Sequence, residues 1–186
     1  MKTTTYLSLA LVMLSTLIAP ITHAKVNYVN NAGFSVTNES ESKASVEVVY
    51  SHFIQHIDMW WPKDHTWWEG TLNIDENAGG CFCETHNNAS AAHMIISYVE
   101  PNKKVVMTGG LGPLQEMGIF GALTWQFSPK DNPTEGTRVT MTYHASGTIH
   151  FNGAQATEKD AADLVQVIDK VQLQQLNALT HFSDVN

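Results

Sequence analysis

The sequence predicts an α+β fold, a curved antiparallel sheet wrapped around a long C-terminal helix, with two short helices after the first strand. Three observations predict it. From Trp68 to about residue 145, apolar residues recur with a period of two, as half-buried strands require. Ala161, Leu164, Val165, Ile168, Val171, Leu176 and Leu179 recur at helical spacing, which makes one apolar helix face. Val46, Val49, Tyr50, Phe53, Ile54 and Ile57 carry the three-and-four spacing of short helices ahead of the sheet.

The elements follow in order. Residues 25–33 (KVNYVNNAG) are polar and aperiodic, and read as a lead-in. Phe34, Val36 and Asn38 alternate with Ser35, Thr37 and Glu39 in a first strand. The short helices occupy residues 43–59, and Pro62 closes them. Trp68, Gly70, Leu72 and Ile74 form the next strand, which Asn77-Ala78-Gly79-Gly80 turns into a return strand at 81–85. Residues 93–99 are apolar on both faces, which predicts a central, covered strand. Pro101-Asn102 turns the chain into a strand at 104–108.

Leu123, Trp125 and Phe127 alternate with Thr124, Gln126 and Ser128. A loop at Asp131-Asn132-Pro133 and Gly136 leads to the answering Val139, Met141 and Tyr143. Thr157, with Asp160 three residues on, supplies a capping box. The helix it opens runs for about six turns, beyond the ~11-residue average, and the sheet is the large partner available to its apolar face.

Ahead of this domain, Lys2 precedes an apolar run from Tyr6 to Ile21, and Thr22 and Ala24 are small residues at the positions a signal peptidase reads. Residues 1–24 are expected to be a cleaved signal peptide, and 34–182 a single domain exported to the periplasm or secreted. A retained anchor is the alternative, but the run is short for a span of ~20 residues and Pro20 falls at its end. No later stretch is long and apolar enough to span, so no stable membrane insertion is expected after cleavage. The 186 residues include 10 basic and 18 acidic side chains, and loss of the leader removes only Lys2, leaving a net charge of −9. Such a surface repels phosphate backbones, and no nucleic-acid partner is expected.

The two cysteines, Cys81 and Cys83, would meet an oxidising compartment. On a regular strand they share a face with α-carbons about 6.5 Å apart, at a rise of ~3.3 Å. That is near the upper limit for a bridge. Either a disulfide forms, or two half-buried thiols pack under a neighbour.

The order of elements, with Trp60-Trp61-Pro62, Ala78-Gly79-Gly80-Cys81-Phe82-Cys83-Glu84, Gly110-Leu111-Gly112-Pro113-Leu114 and Gly121-Ala122-Leu123-Thr124-Trp125, resembles the helix-grip fold of the SRPBCC superfamily. That group includes START lipid-transfer domains, pollen-allergen-like proteins, polyketide cyclases and dehydratases, and activators of chaperone ATPases. The resemblance covers residues 34–180. It implies a hydrophobic pocket between the sheet and the C-terminal helix. Trp68, Leu111, Leu114, Trp125, Met141, Tyr143, Val165 and Ile168 are the candidate lining. Residues 109–121 hold five glycines and a proline among apolar side chains; they suit a pocket wall or lid, or a buried loop that closes the barrel end.

Other constellations leave their alternatives open. Trp60, Trp61, Trp67 and Trp68 could stack on a flat ligand or serve as core and rim. His52 and His56 are four apart on a predicted helix, a workable ligand spacing. No complete metal set follows from the sequence, so neither metal nor cofactor is expected. There is no phosphate-loop glycine pattern, nucleophile elbow or HExxH. No catalytic residue is assigned; Glu84, His93, Tyr143 and His144 are the acid–base candidates a cyclase-like enzyme would draw on. Asn38 and Asn88 begin glycosylation sequons, relevant only in a glycosylating host.

The leading expectation is an exported binding module for a small hydrophobic molecule. A cofactor-independent enzyme of the polyketide cyclase or dehydratase type is the alternative. A protein-interaction module resembling the ATPase activators is third, weakened by the export signal.

Overall fold

The computed structural model describes residues 24–132 and 135–186. All of the expected signal peptide except Ala24 lies outside them. Strands β1 (Ala24–Asn30) and β2 (Gly33–Ser42) form a hairpin, followed by helices α1 (Val46–Gln55) and α2 (Ile57–Trp60). A run of antiparallel strands follows: β3 (Thr71–Ile74), β4 (Cys81–His86), β5 (Ala89–Glu100), β6 (Lys104–Gly109), β7 (Phe120–Pro129) and β8 (Thr137–Ser146). A short pair, β9 (His150–Phe151) and β10 (Ala154–Gln155), leads into α3 (Glu158–Val185). The main sheet runs β1-β2-β8-β7-β6-β5-β4-β3. This is the α+β architecture that the sequence predicts, a curved sheet with a long C-terminal helix.

Local chemistry sets the helices. Ser45 caps α1, and Val49, Tyr50, Phe53 and Ile54 bury one face. At α3, Thr157 and Asp160 exchange the two bonds of a capping box. Helix α3 is 28 residues long, more than the six turns expected, and its buried side is mixed. Ala161, Val165, Leu176 and Leu179 alternate with Gln172, Gln175, Thr180 and Ser183. The helix therefore meets β2 through a polar seam. Asn38 donates to Asp169 at 3.2 Å, Ser40 to Asn177 at 2.9 Å and Ser42 to Asp184 at 2.6 Å.

The sheet departs from expectation in two places. Residues 25–30, expected in the lead-in, belong to edge strand β1. A register shift between Val26 and Tyr28 breaks its alternation, and most of its side chains are exposed. Strand β5 is central but covered on one face only. His93, Met94 and Ile96 are buried, whereas Ile95 and Tyr98 are 42% and 47% exposed on the outside.

A second irregularity bears on the cysteines. Cys81 and Cys83 are joined by a disulfide. The pairing register shifts between Phe82 and Cys83, with His93 of β5 as the extra residue, and the two cysteine α-carbons lie 5.4 Å apart. That separation is shorter than a regular strand gives and falls within the range of a bridge.

Candidate functional site

Two segments and one helix line a partly open cavity against the sheet. The first segment is the glycine-rich stretch 109–121. At Gly112, φ is +57°, a left-handed conformation that favours glycine, and it opens a tight turn through Leu114. A side chain at Gly110 would place its Cβ 2.6 Å from the Ile119 carbonyl. The stretch is tied to the sheet. Leu111 N–H donates to Tyr143 Oη at 3.3 Å, Tyr143 Oη donates to the Gly109 carbonyl at 3.1 Å, and Gln115 Nε2 donates to the Ala92 carbonyl at 2.7 Å. Residues 109–121 are thus a docked wall in this structure.

The second segment is held by Glu84 of β4, which is fully buried. Its carboxylate accepts the backbone N–H groups of Trp67, Trp68 and Gly70 at 2.8, 2.9 and 2.9 Å. His93 Nε2 of β5 lies 3.2 Å from the same carboxylate. Burial pushes Glu84 upward, but the three N–H bonds and the attraction of His93 outweigh it and hold the carboxyl below its usual range. Burial dominates at His93 and lowers its imidazole despite the pull of Glu84. Hydrogen bonding thus favours the ionised form of Glu84, and burial favours the neutral form of His93. If Nε2–H points to the carboxylate, Nδ1 keeps a free lone pair.

The cavity between these walls and α3 has a volume of about 400 Å³, within the range of small-molecule sites. Trp67, Leu111, Pro113, Leu114, Leu164, Val167, Ile168 and Val171 supply apolar lining, and His93, Tyr143, Gln172 and Gln175 supply polar groups. Burial pushes the Tyr143 phenol up to about 12, against the Leu111 N–H, which pulls it down. Gln172 leaves Nε2 and Oε1 without a protein partner, and Gln175 leaves Oε1 so. Each such buried group is destabilising by about 1–3 kcal/mol. A larger, more open groove lies beside Glu47, Glu100, Lys103 and Lys104.

Of the expected lining residues, Leu111, Leu114, Tyr143 and Ile168 surround the cavity. Trp125, Met141 and Val165 are fully buried elsewhere in the core. Trp125 and Phe127 face α1 and α2, where the Phe53 ring centre lies 4.8 Å from Trp125 and 5.3 Å from Phe127. Trp60 packs at 6.3 Å from Trp125. These aromatics occupy the space that the sequence assigned to ligand. Trp68 is 39% exposed; the Glu84 clamp instead puts its neighbour Trp67 in the wall.

Among the acid–base candidates, His144 is exposed on the outer face of β8 and does not line the cavity. His93 and Tyr143 line it, and Glu84 sits against His93 without lining it. Gln172 and Gln175 were not singled out from the sequence, although their spacing places them on the buried stripe of α3. His52 and His56 stand apart from the cavity, packed against Phe182, with His52 Nδ1 3.2 Å from Ser183 Oγ. Among the described residues, no group of three or more His, Cys, Asp or Glu side chains is arranged to hold a metal. Asn38 is fully buried against α3, which closes its sequon to a glycan in the folded chain; Asn88 is exposed.

No protein-family model and no curated protein matches the sequence. Solved structures do match the fold. CalU16 from Micromonospora echinospora superposes with a TM-score of 0.55 at 16% identity, over 89% of this chain and 86% of that one. A conserved protein of unknown function from Enterococcus faecalis gives 0.57 at 13% identity, over 87% and 77%. The di-domain ARO/CYC StfQ of the steffimycin biosynthetic pathway gives 0.56 at 13% identity; the match covers 82% of this chain and 51% of StfQ. The chain has a helix-grip fold.

Proposed function

We propose that this chain is an exported binding module that holds a small hydrophobic molecule between α3, residues 109–121 and the Glu84-clamped segment. One observation carries the reading: a partly open, largely apolar cavity of about 400 Å³ whose buried polar lining includes glutamines without protein partners. A packed structural core has no use for such a cavity, and unpartnered amides on its wall suit a polar group of a bound molecule. Export is supported by the leader pattern of residues 1–24 and by the Cys81–Cys83 disulfide, since such bonds persist in oxidising compartments.

Binding is tested by titrating the mature protein with the neutral apolar fluorophore N-phenylnaphthylamine. Saturable one-to-one uptake is expected, abolished by Leu164→Trp, which fills the cavity. Absence of saturable uptake, or uptake indifferent to that substitution, contradicts the reading. Export is tested by the intact mass of protein recovered outside the cytoplasm. The expected chain begins at Lys25; protein retained inside with residues 1–24 attached overturns it.

The Glu84–His93 pair favours a second reading, a cofactor-independent enzyme in which neutral His93 accepts a proton from a bound substrate while Glu84 stabilises the resulting cation. The ARO/CYC name of the StfQ neighbour is consistent with that chemistry. Turnover left unchanged by both Glu84→Gln and His93→Asn would remove its acid–base pair.

A further inference from the structure

Gln172 and Gln175 lie nearly one turn apart on α3, 1% and 2% exposed, and both line the cavity. Leu176 and Leu179 are fully buried on the same stretch of helix, so leucine is compatible with this environment. Two amides stand where an apolar wall would have been more stable. Their fully buried atoms are one N–H₂ donor, Gln172 Nε2, and two carbonyl acceptors that nothing among the described residues engages; Gln175 Nε2 is a second donor, not fully buried.

The neighbouring charges are committed or peripheral. Glu84 is taken up by three N–H groups and His93. No lysine or arginine lines the cavity. Asp64 belongs to its rim and is exposed, and His65 Nε2 lies 3.1 Å from Gln174 Oε1. Tyr143 Oη already donates to Gly109 and accepts from Leu111.

We propose that the cavity selects a neutral amphiphile with a carboxamide-type polar end, recognised by Gln172 and Gln175. The proposal rests on the cavity being a binding site for an apolar molecule. The count of partners decides the chemistry. A primary carboxamide brings one carbonyl for Gln172 Nε2 and two N–H groups for the two Oε1 atoms, leaving none of the three unpaired. A carboxylate sets acceptors against both Oε1 atoms and finds no cation. An ammonium leaves Nε2 unpaired and surrenders its hydration without a buried counter-charge. An alcohol satisfies part of the set.

The test is calorimetric titration of the mature protein with octanamide, octanol, octanoate and octylammonium, which share one apolar tail. Octanamide is expected to bind at least about tenfold tighter than either charged probe, a difference of about 1.4 kcal/mol, with octanol between them. The double variant Gln172→Leu/Gln175→Leu is expected to lose this preference while still taking up octanol. Octanoate or octylammonium binding as tightly as octanamide overturns the proposal, as does a double variant that keeps the preference. The wild-type ranking stands without any variant, so a variant that fails to fold does not remove the test. Uptake of none of the four contradicts the underlying binding reading, a result distinct from binding without selectivity.

Discussion

Around Trp125 the inner face of the sheet is solid; around Tyr143, one strand over, it borders a cavity. Trp125 on β7 pairs with Met141 on β8, and Tyr143 lies two residues farther along β8, opposite Leu123. The first region is covered by α1 and α2, whose Phe53 and Trp60 rings pack onto Trp125. The second is roofed by α3, which presents Gln172 and Gln175 where aromatics could have filled the gap. Neighbouring positions in one sheet thus serve different ends, and the covering element decides which. The filled half secures the fold, and the open half leaves buried amides unpartnered beside a cavity.

The largest expected contrast comes from truncating one side chain in each half. Phe53→Ala should cost about 3–5 kcal/mol by urea unfolding, because it removes the ring that fills the gap beneath Trp125 and Phe127. Ile168→Ala, on the cavity wall, should cost less than about 2 kcal/mol, because its side chain already lacks packing partners on one side. Equal losses would mean that the two halves are packed alike.

Next in size is a change of opposite sign. Gln172→Leu should stabilise the unliganded protein by about 1–3 kcal/mol, since it removes two buried polar atoms without protein partners. A destabilised variant would show that the amide is structurally bonded.

The smallest effect is a pH dependence confined to the open half. His93 is held below its ordinary range and Glu84 below its own. The unfolded chain therefore takes up protons more readily than the folded one at both sites, and stability rises with pH. The contribution is complete above about pH 6.5. It fades as the pH falls, through His93 first and then through the carboxylate range as Glu84 releases the N–H groups of Trp67, Trp68 and Gly70. Tryptophan fluorescence should follow this loosening, and His93→Asn should remove its upper part. A profile unchanged by that substitution would detach His93 from the clamp.

The filled half was the more legible in the sequence. Leu123, Trp125 and Phe127 declare an inward face by alternation, and the capping pair Thr157 and Asp160 declares where α3 begins. Which element covers that face was not legible, because alternation records burial and not the identity of the partner. Trp125, Met141 and Val165, which alternation and helical spacing point inward, are buried in the core, Trp125 against Phe53 and Trp60 of α1 and α2. Strand β1 escaped notice because its register shift breaks the period that marks strands. Leu111 and Leu114 were legible from the glycines around them. The Glu84 clamp is a long-range contact between a side chain and the backbone of another segment, and it has no local pattern. The glutamines were visible on the α3 stripe, but a polar residue there becomes informative only once its lack of a partner is known.

The central claim is that the ligand enters the half roofed by α3 and leaves the aromatic half untouched. Methyl NMR of the mature protein, recorded with and without octanamide, tests it most directly. Shifts concentrated on Leu111, Leu114, Leu164, Val167, Ile168 and Val171 are the predicted result. Shifts centred on Leu123, Met107 and Met141, with those cavity methyls unmoved, would contradict it.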